Sequence, residues 1–439
     1  MDQNTIILLM LGLMLVAITS GIHIAFAFGI TAFIGNWIMF EEFDVALASA
    51  GNVAYEQLRS EVFATIPLFI LMGDFVSRSG SARDLYNIIN HGLKLVPGRL
   101  AVATVAGNAV FAAVTGVSIA AAAAFSRIAY PQMRHHGYSR KFALGSVAGS
   151  ACLGMLIPPS VLMIVWGIIT EKSISQLFIA GAMPGLLLSA FFIAYTVIWA
   201  KMRPDEVPVV TNFDDDDQKL SRAEVVSGLG ILVLILMVLG GIWGGLFTPT
   251  EAGGVGAICA MILGLIKGMK ARAFIHAVID AGKTAAPIML LLLTAAMYAK
   301  FLAAAGISDL IQAAFSSFQL GEFGIVMVMV IIWLILGMIL DSISIILLTV
   351  PIFAPVAEAV GFDPIAFGIF GILAIEAGLL TPPFGLLVYT VKGAVDDDAV
   401  TLSEIFAGSI PYWILMLVVM SMIWIWPDIA LWLPRLALS

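Results

Sequence analysis

Ala377-Gly378-Leu379-Leu380-Thr381-Pro382-Pro383 interrupts an apolar run, and Leu153-Gly154-Met155-Leu156-Ile157-Pro158-Pro159 repeats its frame 224 residues earlier. Each Pro pair removes two successive N–H donors and disrupts the turn before it, freeing carbonyls near Gly154 to Ile157 and Gly378 to Thr381. Thr381 adds a hydroxyl at the second break, and Ser160 follows the first. The chain around them has 439 residues, 61 % apolar and 11 % charged, with a mean hydropathy of +1.06. Soluble domains average roughly 45–50 % apolar and about 25 % charged residues, so the solvent here is lipid. Carbonyls freed in lipid need a partner, and a small hard cation such as Na⁺ can supply it through backbone and hydroxyl oxygens. For either break alone a packed proline kink is the competing reading; two at equivalent positions favour a site.

A membrane-crossing helix needs about 20 apolar residues. That rule places ten crossings near 5–20, 22–40, 62–78, 142–170, 177–200, 224–246, 252–267, 285–303, 365–391 and 405–426. The apolar stretches 100–130 and 323–354 are too long for one crossing and too short for two, so each is expected to be a re-entrant hairpin. With both termini outside, 17 of the Lys and Arg fall inside and four (Arg59, Lys172, Lys300, Arg435) outside, which sets the orientation. Basic flanks put both ends of the first hairpin in the cytoplasm. The acidic flanks Glu322, Glu358 and Asp363 put both ends of the second outside. No basic stretch precedes the first apolar run, so that helix is expected to persist rather than act as a cleaved signal.

The two Pro-Pro frames are supported by further matches: Ser118-Ile119 with Ser344-Ile345, Asp84-Leu85 with Asp309-Leu310, and Phe178 to Gly181 with Ile405 to Gly408. Five crossings in each half, an odd number, invert the second half relative to the first. The expected fold is therefore an all-α polytopic membrane protein of two inverted repeats, 1–200 and 224–439, each with a hairpin and a Pro-broken helix, joined by an acidic linker over 201–223. The acidic stretch 41–61 is read as a connector, an interfacial amphipathic helix or a docking surface.

The hairpin tips, Thr115-Gly116-Val117-Ser118 and Gly337 to Ser344, bring Gly, hydroxyls and Asp341 to a depth where lipid tolerates none of them unpaired. The other ionisable residues at such depth are Glu376, Glu251, Asp74 and Lys300; Asp74 and Lys300 are expected near helix ends, snorkelling. Glu376 stands two residues before Gly378 and five before Thr381, either in the site or satisfied by neighbouring hydroxyls. Cys152 and Cys259 are packing residues, and His135-His136 belongs to a basic loop. No phosphate-binding loop or zinc motif is present, and no basic run suits nucleic acid, so enzyme chemistry and nucleic-acid binding are not expected.

The segments Ala374 to Leu386, Leu153 to Ser160 and Gly337 to Pro351 resemble the large membrane subunit of tripartite ATP-independent periplasmic (TRAP) transporters, and the likeness spans nearly the whole chain. The chain departs from that pattern at Ala374, Leu387 and Ala151-Cys152, where members often carry Asn, Asn and Gly-Thr. The resemblance implies a permease of the bacterial inner membrane that imports a small organic acid on a Na⁺ gradient by an elevator motion. It also implies two partners, a small four-helix membrane subunit and a periplasmic binding protein. By similarity, Na⁺ sites would lie at Thr115, Gly116, Ser118, Gly154, Ile157 and Pro159, and at Gly337, Asp341, Gly378 and Thr381. Ser160, Ser342, Ser344, Glu376 and Pro382 are expected to face the solute. Proton coupling or a stand-alone channel is the competing function.

Overall fold

The computed structural model describes residues 2–208, 220–307, 310 and 321–438, and among these every regular element is helical. The Asp214 to Asp217 run of the linker and Asp309, matched above to Asp84, lie outside the described residues. The chain opens with α1 (Gln3–Thr19), α2 (Ile24–Phe40), α3 (Phe43–Arg59), α4 (Thr65–Arg78) and α5 (Ser81–Gly92). The first hairpin is α6 (Arg99–Thr115) and α7 (Ser118–His135). The first broken helix is α8 (Arg140–Ala151), the single turn α9 (Leu153–Leu156) and α10 (Val161–Thr170), and α11 (Ile174–Met202) closes the half. The second half begins with α12 (Arg222–Trp243), α13 (Pro249–Ile266) and α14 (Ala271–Ala304). It continues through a hairpin of α15 (Glu322–Gly337) and α16 (Ser342–Ala359), a broken helix of α17 (Pro364–Gly378) and α18 (Leu386–Ala394), then α19 (Leu402–Ile425) and α20 (Asp428–Leu438).

Among the described residues seven helices, counting Arg140–Thr170 as one, are long and apolar enough to cross a membrane, eight if α3 and α4, bent by 64°, count as one. Ten crossings were expected from apolarity alone. The difference is local: α1 and α2 have 17 residues each, about 25 Å at ~1.5 Å per residue, and the Pro breaks cut the span over 364–394 into two short helices. One of the seven, α16, is a hairpin limb. Helix starts are written in the sequence as capping boxes, Ser221 with Glu224, Thr248 with Glu251 and Thr401 with Glu404. Glu251, read above as a residue at membrane depth, is thereby an exposed helix-start residue.

The helices pack as two groups. In one, α4 lies along α13 and α14, α2 against α14, and α5 against α12. In the other, α8 packs on α19, α15 on α17, α10 on α16 and α7 on α18. The second group has an aromatic core in which Trp166 of the first broken helix meets Trp333 of the second hairpin and Phe367 of α17, at ring separations of 6.2 and 5.7 Å. The groups touch where α4 and α5 meet α6 and where α14 meets α16. The ion pairs Arg78–Asp280, Lys267–Asp84, Arg140–Glu404, Lys172–Glu358 and Lys300–Glu56 each fall within one group. Each also joins segments that the crossing count sets on the same side. Outward faces are apolar: Leu229, Leu232, Val233 and Leu236 of α12 are exposed, whereas Asn108, Ser150, Thr196 and Ser409 are buried. That inside-out pattern is the one lipid selects. On α3, Phe43, Leu47, Tyr55 and Leu58 are exposed as well.

Candidate functional site

At the first tip α6 ends on Gly116, whose φ of 63° is left-handed and suits a residue without Cβ. The Gly116 carbonyl accepts from Val161 N–H at 3.2 Å, tying the tip to the first break. A Cβ on Gly116 would stand 2.5 Å from the Pro159 carbonyl oxygen, and one on Gly154 would stand 2.9 Å from Ser118 N. Thr115, Gly116, Ser118, Gly154 and Pro159 are therefore neighbours, brought together from two elements. Ile157 holds the turn by donating to Leu153 at 2.9 Å, and its side chain lies against Gly185.

Pro158 and Pro159 cannot donate to the Gly154 and Met155 carbonyls. The Ser160 hydroxyl takes the Met155 carbonyl at 2.5 Å. The second break uses the same device, with the Thr381 hydroxyl donating to the Gly378 carbonyl at 2.6 Å. Both Pro–Pro bonds are cis. The first break is buried, whereas Pro382, Pro383 and Phe384 are exposed. Beside them opens a cavity of about 550 Å³ lined by Asp341, Phe384, Leu386 and Tyr389 among others.

Gly337 and Gly378 stand back to back: a Cβ on the first would lie 2.7 Å from the Cα of the second. Asp341 caps α16, accepting from Ile343 and Ser344 N–H at 3.1 and 3.0 Å and from the Ser344 hydroxyl. Its carboxylate and Ser344 are thus engaged with each other while Asp341 still borders the open cavity. Thr115 donates back to Phe111 at 3.0 Å.

Glu376 joins the two hairpins. Its side chain is fully buried; Oε2 accepts from Ser118 at 2.6 Å and Oε1 from Ser342 at 2.7 Å. Each serine is the first residue of its helix, so the positive ends of α7 and α16 face the carboxylate. A carboxyl group buried at this depth requires such partners. This bonding pairs Ser118 with Ser342 on one carboxyl group. Ser342 lies 224 residues after Ser118, the same separation as the two Pro pairs, whereas Ser344, matched to Ser118 above, lies 226 after it. At that offset Cys152 matches Glu376, and its thiol donates to the Glu376 carbonyl at 3.7 Å.

Two residues outside the predicted set belong to the site. Cys152 was read as packing, and the repeat offset is the signal that locates it. Gly73 of α4 lies against the first tip, where a Cβ would be 3.1 Å from Thr115 Cα; nothing in its local sequence marks it. Lys300 is an exposed partner of Glu56, as snorkelling predicts, and Asp74 is half-buried on α4.

Hairpin tips and interrupted helices meeting inside a bundle with apolar outer faces define a multi-pass membrane transporter. The family model for the tripartite ATP-independent periplasmic transporter, DctM component, matches residues 11–429, and the chain belongs to that family. It is 32 % identical over 383 residues to the C4-dicarboxylate TRAP transporter large permease protein DctM of Pseudomonas aeruginosa, covering 87 % of this chain and 88 % of that one. It is 31 % identical to the ectoine TRAP transporter large permease protein TeaC of Halomonas elongata, at 87 % and 88 % coverage. Against the sialic acid TRAP transporter large permease protein SiaM of Vibrio cholerae it is 29 % identical, at 85 % and 86 %. In fold it is similar to the YdaH transporter of Alcanivorax borkumensis, with a TM-score of 0.64, 15 % identity and 88 % of each chain covered. The chain is a multi-pass inner-membrane TRAP large permease; proteins of this kind are transporters and not enzymes, and the family implies a periplasmic binding protein and a small membrane subunit.

Proposed function

We propose that this permease imports a small carboxylate-bearing solute on a Na⁺ gradient by an elevator motion, with both termini in the periplasm. The observation that carries the reading is the convergence of both tips and both breaks on one buried carboxyl group, Glu376. On the first side the Gly154 carbonyl faces no proline N–H, and on the second the Leu379 carbonyl likewise; with the oxygens of Asp341 and Thr381 on that second side, these are oxygen ligands of the kind a hard cation takes. The solutes named for the relatives above, C4-dicarboxylates, sialic acid and ectoine, all bear carboxylate. Recognition by the binding protein would supply selectivity upstream.

The two packing groups supply the moving parts: the group with the hairpins and breaks would slide past α1–α5 and α12–α14, with ion pairs kept inside each. The inverted halves would offer the site alternately to either side. The membrane potential contributes about 2.3 kcal/mol per charge per 100 mV, so two Na⁺ could drive a neutral or singly charged solute. The orientation rests on the 17-to-four division of basic residues.

The test is the melting temperature of the detergent-solubilised protein in NaCl against KCl at equal ionic strength, with Thr381→Ala and Asp341→Asn alongside. A site filled at about 100 times its Kd stabilises by roughly 2.7 kcal/mol. Na⁺-specific stabilisation, lost in the variants, supports the reading. Equal melting in both salts points instead to proton coupling through Glu376 and Asp341.

A further inference from the structure

We infer that a cavity at the end of the molecule where Lys and Arg concentrate binds a phosphate-bearing anion, which in the membrane is the headgroup of an anionic phospholipid. The cavity, about 570 Å³, opens between the α4–α5 turn, the start of α12, the end of α13 and the limb α7. Its charged lining is Arg83, Arg127, Lys267 and Asp84. Asp84 is already engaged by Lys267 and accepts from the Ser227 hydroxyl at 2.5 Å. Arg83 and Arg127 are exposed and have no carboxylate partner among the described residues. Among the described residues, two guanidinium groups on facing elements without a carboxylate partner thus border one concavity, and the one carboxylate in its lining, Asp84, is engaged by Lys267. Guanidinium forks match phosphate oxygens two at a time, and basic pockets between membrane helices on the basic side suit lipid headgroups.

The surroundings favour a lipid as the source. Ala223 forms part of the wall, and three and six residues further along α12 stand Val226 and Leu229, 39 % and 58 % exposed, an apolar surface for an acyl chain. The walls also come from both packing groups: Arg83 and Lys267 belong to one and Arg127, on the hairpin limb, to the other. A headgroup held by Arg83 and Arg127 together therefore bridges the two groups at this end. This site is separate from the tips and stands whether or not Na⁺ is the coupling ion.

The test uses the full chain in detergent, titrated with short-chain phosphatidylglycerol, with phosphatidylcholine of the same chains, and with inorganic phosphate, read by native mass spectrometry and melting temperature. Arg83→Gln/Arg127→Gln is compared with wild type and with Lys270→Gln, an exposed residue of the same end outside the cavity. The expected result is that phosphatidylglycerol binds and stabilises wild type and Lys270→Gln, and that the double variant binds it about tenfold more weakly. Melting of the double variant at the wild-type temperature in phosphatidylcholine shows that it is folded. Stabilisation by inorganic phosphate that matches phosphatidylglycerol and is lost in the double variant also supports the site, with a free anion as its source. Binding of phosphatidylglycerol equal to that of phosphatidylcholine, or unchanged in the double variant, overturns the inference.

Discussion

Ser118 and Ser342, 224 residues apart, donate to opposite oxygens of the same buried carboxylate, Glu376, at 2.6 and 2.7 Å. One serine opens the second limb of each hairpin, and the carboxylate rides on the helix that precedes the second break. Three helices, one of them from the other half of the chain, are fastened at one point, which is what a body that moves as a unit needs. Removing one partner of a buried hydrogen bond and leaving the other unsatisfied costs about 1–3 kcal/mol. Ser118→Ala and Ser342→Ala should each lower stability by an amount in that range, and the loss should shrink when Glu376 is already Gln. Thermal unfolding of the double-mutant cycle checks this; full additivity would show that the three groups do not act together.

Asp341 has a capping role that separates its charge from its geometry. Asn caps a helix about as well as Asp, whereas Ala costs about 0.5–2 kcal/mol. Asp341→Ala should therefore melt lower than Asp341→Asn in KCl, while both lose the Na⁺-dependent increment. Measured melting curves in the two salts distinguish the effects, and an Asn variant that keeps the full increment removes the carboxylate from the cation site.

At Gly337 and Gly378 the backbones of α15 and α17 leave no room for a side chain, since a Cβ on either would stand 2.7 or 2.9 Å from the other's Cα. Gly337→Ala or Gly378→Ala should cost about 1–3 kcal/mol by overpacking. By contrast Gly12→Ala, where a Cβ would meet nothing within 4 Å, should be neutral or slightly stabilising by expression and melting.

Asp397, in the loop before α19, accepts from the Tyr130 hydroxyl of the first hairpin at 2.7 Å, and that bond holds its carboxyl below the ordinary 3.8. A lowered folded-state value means that the contribution is fully present above the ordinary value and fades as pH falls below it. Tyr130→Phe should reduce stability at pH 7 and converge with wild type in strong acid. A difference that persists unchanged at low pH assigns the effect to packing.

The two breaks were legible because proline's missing N–H acts locally and needs no knowledge of the fold. The hairpins were legible from length and apolarity, and their flanking charges from simple counting. The Glu376 junction was not, because its partner Ser118 is 258 residues away. The alternating Ser342-Ile343-Ser344 also offers two registers that apolar pattern alone cannot separate. Asp341 could have been read as a cap from the serine three residues on, but its lipid-depth position suggested a ligand first. Gly73 matters only because another element arrives beside it, so no local signal exists.

The sliding of the two packing groups is tested most directly by tying them together. An ideal Cβ on Gly73 stands 3.5 Å from Thr115 Cβ, within the ~3.5–4.5 Å that disulfides span. Gly73→Cys/Thr115→Cys, with Cys152 and Cys259 replaced by Ala, would be reconstituted with its partner subunit and binding protein. Na⁺-driven solute uptake would then be measured before and after reduction, with both single variants as controls. The account predicts that the oxidised double variant transports nothing and that reduction restores uptake to the level of the single variants. Undiminished uptake with the cross-link intact would contradict it.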